Sequence, residues 1–200
     1  MRKMGISLSP QSVVKYNFIG KNEKSSSKWR KFFCILTKGK KYVILTMMFN
    51  LDNLQQYKET NRIEAKQAVG GLPHSIWETY SAFANSDGGL ILLGVAERKT
   101  DKTLYSVKLP DPWRLVAQFL EGVNNPRIVS KNILRKSDVT VECVDGNEIV
   151  VISVPKAKKA DKPVYIGGNQ DMAYYRRGES DIRIPKARLE KMRLETGVKV

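Results

Sequence analysis

From Leu51 onward the chain switches between the two hydrophobic spacings that mark secondary structure, two residues for strands and 3.6 for helices. Leu51 to Tyr57 reads as a short helix. Thr60 to Gln67 alternates as a strand, with Ile63 and Ala65 on one face and Glu64 and Lys66 on the other. Gly70, Gly71 and Pro73 then break the chain, and Pro73 stands where the first turn of a helix tolerates proline. Between His74 and Asn85, the positions Ile76, Tyr80, Phe83 and Ala84 follow the spacing of a helix packed by one face. Gly88-Gly89 stops that helix. The continuous apolar run Leu90 to Val95 has strand length and suits a strand covered on both faces.

Asp101 to Thr103 reads as a hairpin tip before a strand at Tyr105 to Leu109, and Pro110 and Pro112 open a helix over Trp113 to Gly122. A stronger turn signal is Asp145-Gly146-Asn147, flanked by strands at Val139 to Val144 and Glu148 to Val154, because Asp-Gly supplies the positive φ angles that tight hairpins require. A strand at Ala173 to Arg177 precedes a last helix after Pro185. The order strand, helix, hairpin, helix, hairpin, strand, helix predicts an α/β (α+β) fold, a mixed β-sheet with packed helices. Residues 1–47 show no sustained period and hold Ser25, Ser26 and Ser27 in a row, so they read as a basic, poorly ordered extension ahead of a domain over residues 48–196.

Composition changes this picture only in its charge. With 42% hydrophobic and 28% charged residues, the 200-residue chain is ordinary for a folded domain. Its 35 Lys and Arg against 20 Asp and Glu, a formal net charge of +15, are not. Residues 1–41 hold 11 Lys and Arg and one acid, Glu23, a net of +10, which leaves +5 for residues 42–200. A basic surface attracts polyphosphates by counterion release, without separating DNA, RNA and anionic membrane. The eight-residue run Tyr42 to Phe49 is too short to span a bilayer, which takes about 20 apolar residues, and lies too far from the N-terminus for a secretory signal. Cys34 and Cys143 form no C-x-x-C pair and have no third Cys or nearby His to complete a metal site, so they read as reduced thiols in a cytoplasmic protein.

Among residues suited to a polyanion, Lys156, Lys158, Lys159 and Lys162 form a phosphate patch, since four cations within seven residues repel one another unless an anion is near. Tyr174 and Tyr175 precede Arg176 and Arg177, an arrangement in which an aromatic ring stacks on a base and a guanidinium takes a phosphate. On an alternating strand one arginine of that pair faces a ligand, and the other reading pairs an arginine with Glu179 or Asp181. No phosphate-binding G-x-x-x-x-G-K-[ST] run exists. Turn chemistry accounts for Gly70-Gly71-Leu72-Pro73. His74 has neither a second histidine nor a nucleophile pattern beside it.

The stretch ETNRIEAKQAVGGLPHSIWETYSAFANSDGGLILLGVAE resembles the Schlafen AlbA-like domain, also called AlbA-2, of many bacterial proteins. A late segment, DKPVYIGGNQDMAYYRRGESDIRIPKARLEKM, is similar to the second motif of the same family, so the resemblance spans about residues 50–195. It implies a fold related to AlbA chromatin proteins and a role in binding DNA or RNA, including regulation of transcription. An interaction or homodimerisation domain of a longer regulator stays open beside it. Because family members begin just before the segment that looks like NLDNLQQYKETNRIEAK, the resemblance also implies a start at Met47 or Met48.

Some Schlafen proteins cut RNA at a metal site of two glutamates five residues apart and a third acid just after the Gly-Val strand. The resemblance carries this onto Glu59, Glu64 and Glu97, with Mg²⁺ or Mn²⁺ as the implied cofactor of an endoribonuclease. The third acid here is Glu rather than Asp. Five is an odd spacing, so Glu59 and Glu64 share a site only if Glu59 lies in the connection before the strand. Lys66 shares the Glu64 face and is placed to reach a phosphate. The alternative has Glu64 pairing with Lys66 or an arginine to hold the strand, with Glu59 and Glu97 as surface acids.

Overall fold

The structure is a computed structural model and describes residues 51–196. The expectations for residues 1–47, including Cys34 and the start at Met47 or Met48, lie outside the described residues.

The first described element, Leu51–Gln56, is a 3-10 segment interrupted by an extended Asn53, and Leu54 anchors it with 1% exposure. Strand β1 covers only Ile63–Lys66. The residues before it are taken by a turn, in which Thr60 and Ile63 bridge and the Arg62 N–H donates to the Thr60 hydroxyl at 3.1 Å. Helix α1 (Ile76–Asn85) follows, and then β2 (Gly89–Leu93), parallel to β1 with Ile63 opposite Leu90. A hairpin of β5 (Val139–Val144) and β6 (Asn147–Val154) completes a mixed sheet of order β1-β2-β6-β5. Its turn puts Asp145 and Gly146 at φ 50° and 80°, the left-handed pair that the Asp-Gly signal requires.

Strand β2 is buried along its whole length, and its period of two divides the core into layers. Ile91 and Leu93, with Val150 and Ile152 beside them, face α1 and α2 (Pro112–Asn124) through Ile76, Tyr80, Phe83, Leu115 and Phe119. Leu90 and Leu92 face the other way, with Ile149 and Val151, against Leu54, Val95 and Leu104. Val95 and Leu104 belong to a second hairpin of β3 (Val95–Glu97) and β4 (Leu104–Ser106). Each such aliphatic side chain contributes about 1.5–3 kcal/mol when removed from water.

Helix α2 starts where Pro112 fixes its first turn and the Asp111 carboxylate accepts from the Arg114 N–H at 2.9 Å. The stretch 125–138 has no hydrophobic period and is held by polar contacts to the core. The buried Tyr80 hydroxyl accepts from the Ile133 N–H at 2.9 Å and donates to the Lys131 carbonyl at 3.2 Å.

The C-terminal part departs from the sequence reading in one element. Tyr174–Arg177 forms β7 within the expected strand, but Ser180–Arg183, to which the sequence pattern assigns no element, forms β8 paired antiparallel with β7. Ser, Asp and Arg are weak strand formers, so pairing with β7 rather than propensity sets this strand. The hairpin lies on α1, and α3 (Lys186–Thr196) closes the described chain, its Leu189 buried with Ala173 and Ile184. Among the described residues no helix is long and apolar enough to cross a membrane.

Candidate functional site

The β7–β8 register places Arg176 directly opposite Asp181. With 1% of its side chain exposed, Arg176 donates from Nη1 to Asp181 Oδ1 at 2.8 Å and from Nη2 to Glu64 Oε2 at 2.7 Å. A third donation, to the Thr60 carbonyl at 3.2 Å, ties it to the turn before β1, and the Phe83 ring lies 5.1 Å below its plane. Burial opposes the charge, but Asp181 and Glu64 outweigh it and push the guanidinium pKa up. Arg176 thus sits inside an ion-pair network rather than on a phosphate-binding face. Its neighbour Arg177, on the opposite side of the strand, is exposed.

Glu64 and Lys66 do share a face of β1, and they meet there. Lys66 Nζ donates to Glu64 Oε1 at 3.0 Å and to Ser75 Oγ at 3.1 Å. Both oxygens of Glu64 therefore already accept from cations. Glu59 lies in the connection before β1, where the odd spacing requires it to be, and its Oε1 accepts from the Ala65 N–H at 2.9 Å. Burial pushes its carboxyl up from the usual range, and the negative charges of Glu64 and Glu97 add to the shift. Glu97, at the end of β3, accepts from Lys102 at 2.8 Å across the hairpin tip. The three acids are electrostatic neighbours. Arranged in this way, with Glu64 and Glu97 paired to basic side chains and Glu59 to a backbone N–H, they do not fit a divalent cation, and among the described residues no three acids, His or Cys converge to hold one.

The polar residues within TYSAFANSDGG join α1 to the C-terminal motif. Ser81 Oγ donates to the Val164 carbonyl at 2.8 Å and accepts from the Tyr174 N–H at 3.0 Å. The buried Asn85 amide donates to the carbonyls of Val164 at 2.8 Å and Tyr174 at 2.9 Å, while its oxygen accepts from the Val164 N–H at 2.9 Å. Ser86 Oγ accepts from the Arg176 N–H at 2.8 Å, and Thr79 donates to Asp181 Oδ2 at 2.7 Å. Gly88, at φ 78°, turns the chain out of α1.

Three of the four candidate lysines of the 156–162 segment, Lys156, Lys159 and Lys162, line one cavity of about 510 Å³, and Lys158 is exposed outside it. The opposite wall is α3, which contributes Arg188 and Lys191. Residues 188, 191, 192 and 195 recur at the spacing of one helical face. That spacing was the available sequence signal for Arg188 and Lys191, which the reading of the lysine segment alone left out. Lys162 donates to the Asn85 carbonyl at 2.6 Å, and burial first, then the charges of Lys156 and Arg188, push its ammonium pKa down. Lys156 pairs with the exposed Asp87 at 2.8 Å. His74 is exposed beside a second cavity of about 600 Å³ between the Gly70-Gly71 turn and α2.

The family model described as Schlafen, AlbA_2 matches residues 59–185. The chain belongs to the Schlafen AlbA_2 family. The match contains β1, α1, the sheet and the whole Arg176 network, and it ends one residue before α3, so the Arg188 and Lys191 wall of the cavity lies beyond it. A similar solved structure is the N-terminal domain of a RecG-related protein from Nitrosomonas europaea, named for an ATP-dependent DNA helicase. It shares 34% identity with this AlbA_2 chain, over 68% of this chain and 90% of that one, with a TM-score of 0.49. A Corynebacterium diphtheriae protein shares 14% identity over 66% of this chain and 23% of its own, with a TM-score of 0.43. No curated protein matches the chain.

Proposed function

We propose that this AlbA_2 domain binds nucleic acid, with the Lys156, Lys159, Lys162, Arg188 and Lys191 cavity as its principal phosphate-binding surface. The observation that carries this reading is the gathering of five cations from two separate segments around one concavity, with Glu195 the only acid in its lining. Lys159 and Lys191 pair with no carboxylate among the described residues, so their charge is free to attract phosphate. Exposed Lys158 and Arg177 extend the reach of such a surface. Arg176 and Lys66 support it by holding the scaffold. A DNA-binding regulatory role is one use of this surface, and RNA binding is another.

The test is fluorescence anisotropy with single- and double-stranded DNA and RNA, in EDTA, over a range of salt. Wild-type protein is expected to bind with a steep salt dependence. The variant with Lys156, Lys158, Lys159 and Lys162 all changed to Gln is expected to bind more weakly, its slope of log K against log salt reduced by about 1 for each phosphate it no longer neutralises. Unchanged affinity and slope in the variant would sink the assignment of the surface. The endoribonuclease reading, which needs Glu64 to leave Arg176 and Lys66, is separated by adding Mn²⁺ and following RNA cleavage in wild type and Glu64→Ala. An interaction or dimerisation domain would show no salt-dependent affinity for any strand.

A further inference from the structure

The arrangement of the cavity says more about its ligand than its net charge does. A groove that tracks a nucleic-acid backbone distributes its cations along a path, because each internal phosphodiester carries a single negative charge and the strand must both enter and leave. Here five cations from two separate segments line a single concavity. Lys156, Lys159 and Lys162 come from the segment after β6, Arg188 and Lys191 from one face of α3, and the acids nearby are Glu195 in the lining and Asp87, which pairs with Lys156.

Two of these groups are held in place before any ligand arrives. Lys162 is fixed by its 2.6 Å donation to the Asn85 carbonyl, and the Asn85 side chain is itself clamped to Val164 and Tyr174. Arg188 Cζ lies 4.8 Å from the centre of the Tyr175 ring, a cation–π contact that restrains the position of its guanidinium. Lys159 and Lys191, without carboxylate partners among the described residues, keep their ammonium groups available on long stems. A forked planar donor, a fixed ammonium and two free ammonium groups suit a compact group with three oxygens and about two negative charges. A phosphate monoester has that charge near neutral pH, and an internal diester does not. A volume of about 510 Å³ also admits the sugar that carries the phosphate.

We infer that the cavity between the 156–162 segment and α3 is a receptor for a terminal phosphate monoester, carried by the end of a nucleic-acid strand or by a free mononucleotide. The inference rests on the nucleic-acid reading for the first of these sources, and it assigns Arg188 and Lys191, which the family match does not reach.

The experiment compares internally labelled single strands of one sequence that carry a 5′-phosphate, a 3′-phosphate, or hydroxyls at both ends, with adenosine 5′-monophosphate as competitor. At least one phosphorylated strand is expected to bind about tenfold tighter than the hydroxyl-ended strand, a difference of about 1.4 kcal/mol from the added charge-assisted contacts. The Arg188→Gln/Lys191→Gln double variant, changed only at exposed helix positions and checked for an unaltered melting curve, should bind every strand more weakly and lose the preference for a phosphorylated end. Equal affinity for all three strands, without competition by the mononucleotide, overturns the monoester receptor and leaves nucleic-acid binding standing. Competition or direct binding by the mononucleotide without any strand affinity keeps the receptor, assigns it to free nucleotides, and removes the nucleic-acid reading. Failure of both probes to bind removes both.

Discussion

Arg176 and Glu64 meet at 2.7 Å although 112 residues separate them in the chain. The contact joins the first strand of the sheet to the C-terminal hairpin, and the same guanidinium reaches Asp181 on the neighbouring strand and the Thr60 carbonyl in the turn before β1. Removing it leaves two carboxylates that are each 14% exposed, Glu64 with Lys66 as its remaining cation and Asp181 with only the Thr79 hydroxyl. Arg176→Leu should therefore lose about 3 kcal/mol of unfolding free energy, as is typical when one partner of a buried pair is deleted. Glu64→Gln, which retains an acceptor for the guanidinium, should lose less. Urea unfolding of the two variants checks this order, and equal midpoints for wild type and Arg176→Leu would show that the network contributes nothing to stability.

Glu59 predicts a stability that falls as pH rises. Its folded-state pKa is raised above the ordinary value of 4.5, chiefly by burial, so the folded protein holds this proton more tightly than the unfolded chain. Between those two pKa values the unfolded chain binds fewer protons, and stability falls as pH rises through the window. Glu59→Gln keeps an oxygen for the Ala65 N–H and removes the charge. Its melting temperature should exceed that of wild type at neutral pH, with the advantage vanishing as pH falls below the ordinary carboxylate range. A constant difference at all pH values would assign the effect to packing instead.

The elements set by local patterning were legible in the sequence. Ile76, Tyr80, Phe83 and Ala84 marked α1, and Asp145-Gly146 marked the β5–β6 hairpin. The run Leu90 to Val95 marked a strand buried on both faces that in fact ends at Leu93, because Gly94 at φ 82° turns the chain and Val95 opens β3 of another sheet. Strand β8 was not legible, because Ser180–Arg183 has no apolar alternation and gains its conformation from β7. At the site, the period of two correctly put Glu64 and Lys66 on one face. That Arg176 would occupy the other Glu64 oxygen depends on a contact 112 residues long, which no spacing reveals. Arg188 and Lys191 were visible as a pair three residues apart, but their role emerges only when α3 packs against the turn at 159–161.

The close approach of α1 to β2 makes Gly89 a sensitive position. A Cβ there would stand 2.7 Å from the ring of Phe83, which is itself fully buried in the core and stacked against Arg176, so the ring has little room to give. Gly89→Ala should destabilise by about 1–3 kcal/mol through overpacking. The combined Gly89→Ala/Phe83→Leu variant should be less destabilised than the sum of its two single changes, because each relieves part of the strain or void that the other creates. Denaturant unfolding of all four proteins gives the coupling directly, and simple additivity would show that the ring is not the obstacle.

Asn85 links stability to the proposed phosphate-binding cavity. Its side chain holds both the N–H and the carbonyl of Val164, immediately after the Lys162-Pro163 segment that carries one of the cavity's fixed cations. Asn85→Ala leaves those groups and the Tyr174 carbonyl with fewer partners in a buried place, and should destabilise the domain by about 2 kcal/mol or more. Asn85→Asp preserves the acceptor for the Val164 N–H but replaces the amide donor with a carboxylate facing two carbonyl oxygens. At neutral pH it should be the worse of the two variants, and it should recover as pH falls and the buried carboxyl takes up the proton it needs to donate. Under conditions where the variants remain folded, both should bind nucleic acid more weakly than wild type, because Lys162 is no longer held in register with Arg188. Thermal melts across pH, paired with anisotropy binding curves, test the two effects together. Full affinity in a folded but destabilised Asn85→Ala protein would show that the clamp serves the fold and not the cavity.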